Sequence, residues 1–228
     1  MGRERSWVGI AVVAASIFSN VSFARAQAGS ASSGPHISVF IYEHADVPAR
    51  TLAQAELRAE NTFRRIGVEL SWLRCDAGGL PDSAAACGAA LSPTDLVLRM
   101  EKGASAAGNE PDACGAALVP KKRELAVYMT VAYDCVRDRA NAADVAVADV
   151  LGYVIAHEAG HLVSGSSEHS PCGLMSAEWN REVLLRAARG QLYFTREEIA
   201  RIRREARSRE LMSRSRAAEI ASEEIIKE

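Results

Sequence analysis

A short run, His157-Glu-Ala-Gly-His161, constrains this 228-residue chain more than any other feature. On an α-helix, residues four positions apart lie one turn apart on the same face, so both imidazoles can bind one metal ion. Glu158 then lies beside them, where its carboxylate can act on a water molecule at the metal. The apolar segment that precedes the motif is typical of a buried helix. The pattern predicts a helix-borne zinc site with Glu158 as its base.

A third metal ligand is expected after His161, because zinc that acts on a substrate has three protein ligands and one open position. His169 is the first candidate, since Gly165 and the serines around it can end the helix and turn the chain back. The chain has five histidines, and three of them lie in this short stretch, which argues against chance. Carboxylates in the same loop and on the next predicted helix are the alternatives: Glu168, Glu178 and Glu182.

The stretch as a whole resembles the metzincin metallopeptidases, whose pattern is H-E-x-x-H-x-x-G-x-x-H followed by a methionine turn. Residue types and their order agree, but Gly165 is fourth and His169 is eighth after the second histidine, so the spacer is two residues longer. The segment from His169 to Met175 is similar to the family's methionine turn, in which the methionine lies beneath the metal. The resemblance implies that Glu158 is the general base and that three histidines bind zinc: His157, His161 and His169.

Hydrophobic alternation predicts about four strands with helices between and after them, and the resemblance implies an α+β, zincin-like fold with a mixed twisted sheet. The predicted strands are His36–Tyr42, Val68–Leu73, Asp95–Met100 and Leu125–Tyr133. A helix over Ala49–Ile66 joins the first two, which favours a right-handed crossover and parallel pairing. Residues Gly103–Gly115 are expected to form a flexible insertion. By the resemblance, a sheet-edge strand should bind an extended peptide, and Ala116–Val119 or Leu125–Tyr133 is the candidate.

The motif helix is predicted to begin near Ala142 or Asp144 and to end near Ser164. C-terminal helices follow, one over Glu178–Arg189 and one that opens with a capping-box pattern, Thr195 to Glu198. Residues 29–210 are therefore expected to form the catalytic domain, and residues 211–228 a charged C-terminal helix or tail.

Residues 1–28 have the pattern of a cleaved signal peptide: basic Arg3 and Arg5, an apolar run over Trp7–Phe18, and small residues at a cleavage site. An apolar run of about 12 residues is short for a membrane span of about 20, so no stable membrane anchor is expected. The predicted location is secreted or periplasmic.

All five cysteines follow this segment, which predicts two disulfides and one remaining thiol. Cys75 can pair with Cys87, and Cys114 with Cys135, because each pair flanks one loop or extended segment. Cys172 could remain free, bind the metal, or link the active-site loop to the body of the domain, and the link is favoured.

A zinc metalloendopeptidase acting on a protein or peptide substrate is the function that the resemblance implies. Tyr193 or a tyrosine on an upstream strand could donate a hydrogen bond to the developing oxyanion. The formal net charge of −2 gives no indication of a nucleic-acid partner. Two other classes stay open: a zinc-binding protein without peptidase activity, and an exported interaction module in which the motif is incidental.

Overall fold

The computed structural model describes residues 34–75, 85–107, 113–121 and 124–227. The predicted signal segment, residues 1–28, lies outside them. The strands are β1 His36–Glu43, β2 Glu69–Arg74, β3 Asp95–Glu101, β4 Gly115–Ala117 and β5 Tyr128–Ala132. The helices are α1 Ala49–Arg64, α2 Tyr133–Ala143, α3 Val147–Ser164, α4 Arg181–Ala188 and α5 Arg196–Lys227.

The strands form one mixed sheet in the order β2-β1-β3-β5-β4. Strand β1 pairs in parallel with β2 and β3, and β3 pairs in parallel with β5. Strand β4 pairs antiparallel with β5 at the edge of the sheet. The predicted α+β fold class and the parallel pairing of the first two strands are therefore confirmed.

The described sheet has five strands, one more than expected, because residues 116–119 were considered only as a candidate peptide-binding edge and β4 was not among the four predicted strands. Its three residues, Gly115-Ala-Ala117, have low strand propensity and are too few to show an alternating pattern. Its start was predicted to belong to a flexible insertion. Backbone pairing with β5 and the disulfide between Cys114 and Cys135 hold this segment in place instead.

The region before the motif helix also differs from the prediction. The strand predicted over Leu125–Tyr133 ends at Ala132, and Tyr133 begins the helix α2. Asp144 ends α2 in the left-handed conformation, with φ of 58°, so the motif helix α3 starts later than expected, at Val147. An apolar run rich in aromatic and alanine residues suits a buried strand and a buried helix equally, which explains the error.

Close contact between α1 and α3 sets the position of the motif helix under the sheet. A Cβ added at Gly152 would lie 2.5 Å from the Arg58 Cβ and 2.7 Å from the Ala55 carbonyl oxygen. Beside this contact, the Arg58 guanidinium forms a salt bridge with Asp149. Any side chain at position 152 would push the two helices apart.

Helix α5 is tied to the far end of α3. Ile202 is buried, and the buried Arg209 guanidinium donates to the carbonyl oxygens of Pro93 at 3.3 Å, Ala126 at 2.9 Å and Leu162 at 2.6 Å. The Leu162 carbonyl is among the last of α3, which lack partners within the helix, so a cation there is favourable. Residues 211–227, predicted as a charged helix or tail, are helical.

Disulfides join Cys75 to Cys87 and Cys114 to Cys135, as expected. Cys172 is a free, exposed thiol, so the favoured prediction that it links the active-site loop to the domain is wrong. Within the described part of the chain, no helix combines the length and apolar character needed to cross a membrane.

Candidate metal centre

Helix α3 carries the first three site residues on its buried surface. His157, Glu158 and His161 are 8%, 6% and 4% exposed. The two imidazole rings lie next to each other, with centroids 4.7 Å apart. The helix therefore brings the two histidines of the motif together as their spacing predicts.

The end of α3 positions His161 directly. Gly165 adopts a left-handed conformation with φ of 62°, and its N–H donates to the Leu162 carbonyl at 3.3 Å. Ser166 N–H donates to the His161 carbonyl at 3.2 Å, which completes a Schellman turn. The turn places the Ser166 carbonyl oxygen 2.7 Å from His161 Nδ1. The predicted glycine stop thus also orients the second histidine.

The chain then returns to the helix and brings His169 to the other two histidines. His161 Nε2 lies 3.0 Å from His157 Nε2 and 3.3 Å from His169 Nε2. Within the described residues, the potential metal-ligating atoms of these three histidines lie within 4.8 Å of one another. This described group includes none of the alternative carboxylates: Glu168, Glu178 and Glu182. The geometry therefore favours His169 as the third ligand.

Hydrogen bonds at the far side of two rings decide which nitrogen faces the centre. His157 Nδ1 lies 2.8 Å from the Leu174 carbonyl oxygen, and His161 Nδ1 contacts the Ser166 carbonyl oxygen. A carbonyl can only accept, so each Nδ1 must carry the proton. In a neutral imidazole, Nε2 then has an unshared pair and no hydrogen.

The three Nε2 atoms therefore fit a metal cation. Two unshared pairs cannot form a hydrogen bond with each other, yet the Nε2 atoms of His157 and His161 face each other at 3.0 Å. A positive ion between them removes the conflict, and backbone acceptors at Nδ1 are the usual support for metal-binding histidines. The residues that would hold the ion are His157, His161 and His169.

Burial sets the protonation of this group. Burial, together with the neighbouring His161 and His169 rings, lowers the pKa of His157 to about 3, against the opposing effect of the hydrogen bond to Leu174. Burial also lowers the pKa of His161, against its hydrogen bond to Ser166. Both rings are therefore neutral near pH 7, as metal ligands must be.

Glu158 is enclosed from the side of the sheet by strand β4. A Cβ added at Gly115 would lie 2.2 Å from Glu158 Oε1, so the strand passes the carboxylate at the one residue that has no side chain. Burial raises the pKa of Glu158 to about 8. The carboxyl group is thus able to exchange a proton near neutral pH.

The predicted methionine turn is held by backbone contacts on both sides. Ser170 N–H donates to the Met175 carbonyl at 2.8 Å, and Leu174 N–H donates to the Tyr193 carbonyl at 2.9 Å. Met175 is buried, and a Cβ added at Gly160 would lie 2.8 Å from its sulfur. The second small residue of the motif therefore makes room for Met175 against the helix.

Two aromatic residues considered at the sequence level lie in different places. Trp179 packs edge-on to His157, with centroids 5.9 Å apart, and its Nε1–H donates to the Ser176 carbonyl at 3.1 Å. Tyr193 is half-exposed, and the Arg65 guanidinium lies 5.5 Å from its ring centre. The first contact supports the site, whereas an oxyanion role for Tyr193 stays a prediction.

Several residues of the site were not predicted. Leu174 and Ser166 act through their backbone carbonyls, which every residue has, so no sequence pattern predicts them. Gly115 follows Cys114 in a segment whose composition is typical of a loop. Only the closeness of β4 to Glu158 shows that a residue without a side chain is needed there. Gly160 was visible inside the motif, and a glycine within a helix does indicate a close approach by another group.

No protein-family model matches this sequence. No curated protein matches it either. Among solved structures, archaemetzincin from Methanopyrus kandleri is similar, with a TM-score of 0.51 and 16% sequence identity. The similarity covers 79% of this chain and 99% of that one. The chain therefore has the fold of archaemetzincin, which confirms at the level of fold the resemblance to metzincins that its motif predicted.

Proposed function

We propose that this chain is an exported zinc-dependent metallopeptidase that hydrolyses peptide bonds. The observation that carries the proposal is the convergence of three imidazole Nε2 atoms beside a buried glutamate, with backbone acceptors at Nδ1 of His157 and His161 leaving their Nε2 atoms unprotonated. His157, His161 and His169 would hold the ion, with Glu158 as general base. The similarity to archaemetzincin supports the proposal through its fold.

A zinc ion bound there would supply a Lewis acid and would lower the pKa of water toward neutrality. The Glu158 carboxylate would accept the proton of the attacking water and pass it to the nitrogen of the leaving amine. Burial raises the pKa of Glu158 in the metal-free protein, and a bound cation beside it would lower that pKa again, which would favour the carboxylate that accepts the proton. The neutral imidazoles of His157 and His161 would leave the charge of the ion uncompensated, which favours attack on a carbonyl.

Strand β4 would bind the substrate backbone. In the described sheet it is an edge strand that pairs with β5 on one side, so its other side would present N–H and C=O groups to an extended peptide for strand addition. Gly115 at its start lies against Glu158, so a peptide along this edge would pass the general base. This is the role for which residues 116–119 and the strand over Leu125–Tyr133 were the two candidates.

Export is supported by the two disulfides, because such bonds persist in oxidising compartments. Together with the predicted signal segment, they favour a secreted or periplasmic location. N-terminal sequencing of the protein recovered from the culture medium or periplasm would test cleavage near residue 28.

The activity is tested by measuring zinc content and casein cleavage for the wild type, Glu158→Gln and His169→Ala. We expect one zinc in the wild type, and a roughly 100- to 10,000-fold loss of activity with zinc retained in Glu158→Gln. His169→Ala should lose zinc. The matched control is Glu178→Gln, an exposed carboxylate on the following segment, which should keep both zinc and activity.

Zinc in the wild type without cleavage of casein or of a peptide library would contradict the peptidase and leave a zinc-binding protein. Absence of zinc from protein prepared without chelators, and failure to take up added zinc, would contradict the whole proposal. In that case the interaction-module interpretation would replace it.

A further inference from the structure

The loop that carries His169 is attached to helix α5 on both sides of the histidine. Ser170 Oγ–H donates to Glu198 Oε1, and the Glu168 carboxylate lies 3.6 Å from the Arg201 guanidinium. We propose that Glu198 is a positioning residue for the third metal ligand: through Ser170 it holds His169 where its Nε2 meets the other two. This inference rests on the metal site of the proposed function.

Glu198 is suited to this role because its two oxygens have separate partners. Oε2 accepts from the Thr195 N–H at 2.7 Å, and the Glu198 N–H donates to Thr195 Oγ1 at 3.3 Å, which forms the predicted capping box. Capping uses one carboxylate oxygen only. The other oxygen is directed at Ser170, so the carboxylate connects the start of α5 with the metal-site loop.

Helix α5 is a firm support for that connection. Ile202 and Ala206, one and two turns beyond Glu198, are 1% and 0% exposed. Farther along, Arg209 donates to the Leu162 carbonyl at 2.6 Å, and Leu162 directly follows His161. The same helix therefore contacts the end of α3 and the loop, and it sets the distance between the helix-borne ligands and His169.

The loop needs such support more than a shorter spacer would. It is two residues longer than the family pattern, and His169 itself is exposed. The ion pair of Glu168 with Arg201 contributes little, because the two side chains are 82% and 44% exposed and solvent screens them. The hydrogen bond from Ser170 to Glu198 is partly buried and charge-assisted, so it is the contact that matters.

The test is the affinity of the full chain for Zn²⁺, measured by competition with a chromophoric chelator. Glu198→Ala and Ser170→Ala should each bind zinc about 10- to 100-fold more weakly, as is typical when a partner of a metal ligand is removed. The double variant should be no weaker than the weaker single variant, because both changes remove one contact.

Two matched controls lie on the same helix. Thr195→Ala removes half of the capping box but leaves Ser170 bound to Glu198, and Arg201→Ala removes the exposed ion pair. Each should change zinc affinity less than about 5-fold. Melting of the metal-free protein should respond similarly in Thr195→Ala and Glu198→Ala, since each loses one of the two hydrogen bonds of the capping box, so stability alone would not produce the difference in affinity.

The proposal is overturned if Glu198→Ala binds zinc as tightly as Thr195→Ala, or if the losses in Ser170→Ala and Glu198→Ala add in the double variant. His169→Ala separates this result from failure of the site. If His169→Ala loses affinity and Glu198→Ala does not, the metal site stands and the positioning role fails. If the wild type binds no zinc, both fail.

Discussion

His157 and His161 are almost wholly buried on a helix packed against α1 and the sheet, whereas His169 is exposed on the loop that follows. The helix half of the site, His157 and His161 on α3, takes its geometry from the core. Gly152 lets α1 approach α3, Gly160 makes room for Met175, and backbone carbonyls accept hydrogen bonds from both Nδ1 atoms. The loop half, His169 and its neighbours, depends on polar contacts with α5. One site thus combines a rigid part with a part that is easily disturbed.

The largest difference between the halves is expected on removal of a histidine. His157→Ala and His169→Ala should each lower zinc affinity more than about 100-fold, beyond the loss caused by removing a partner of a ligand. His157→Ala should also destabilise the metal-free protein by roughly 1–3 kcal/mol, because it leaves the buried Leu174 carbonyl without its donor. His169→Ala should leave its melting temperature nearly unchanged, since His169 is exposed on a loop outside the core. Equal melting temperatures would show that the two halves do not differ.

The next test concerns strand β4, which lies against Glu158 on the motif helix. Gly115→Val should lower peptide cleavage about 100-fold or more, because its side chain would occupy the space of Glu158 Oε1. Zinc content should stay at the wild-type level, since Gly115 is not part of the histidine group. Ala116→Val is the control, because the neighbouring side chain points to the other face of the strand. Equal activity of the two variants would contradict the placement of β4 against Glu158.

A third test uses pH, in metal-free protein. The pKa of Glu158 is about 8 when folded, against an ordinary value of 4.5, so between these values the folded protein binds more protons than the unfolded chain. Its contribution to stability is therefore complete below about pH 4.5 and is lost as the pH rises through about 8. Glu158→Gln lacks this term. Its melting temperature relative to wild type should rise from pH 5 to pH 8.5, and a constant difference would show that Glu158 is not buried as described.

The smallest effect is expected from removal of the metal alone. Chelation should speed amide hydrogen exchange in residues 165–173 and leave α3 unchanged, because the core holds the helix whether or not an ion is bound. Mass-spectrometric exchange with and without a chelator measures both segments in one experiment. Faster exchange in α3 would show that its order depends on the ion.

Much of this site could be predicted from local sequence, because an α-helix converts spacing directly into geometry. The facing of His157 and His161, the stop at Gly165 and the capping box of Thr195 with Glu198 are all properties of a few neighbouring residues. The fold class was predicted from the alternation of apolar and polar residues in the strands, from the crossover of α1 between β1 and β2, and from the resemblance to metzincins. Strand β4 and the break between α2 and α3 did not follow, because three small residues and one left-handed aspartate carry no clear pattern.

The sequence by itself determined which residue types meet on the motif helix and where that helix ends. Only the tertiary structure decided what surrounds them: Gly115 against Glu158, the Leu174 carbonyl on His157, and α5 beneath the loop of His169. These contacts join segments that are distant along the chain. They depend on how the sheet, α3 and α5 pack together, so no local pattern could have specified them.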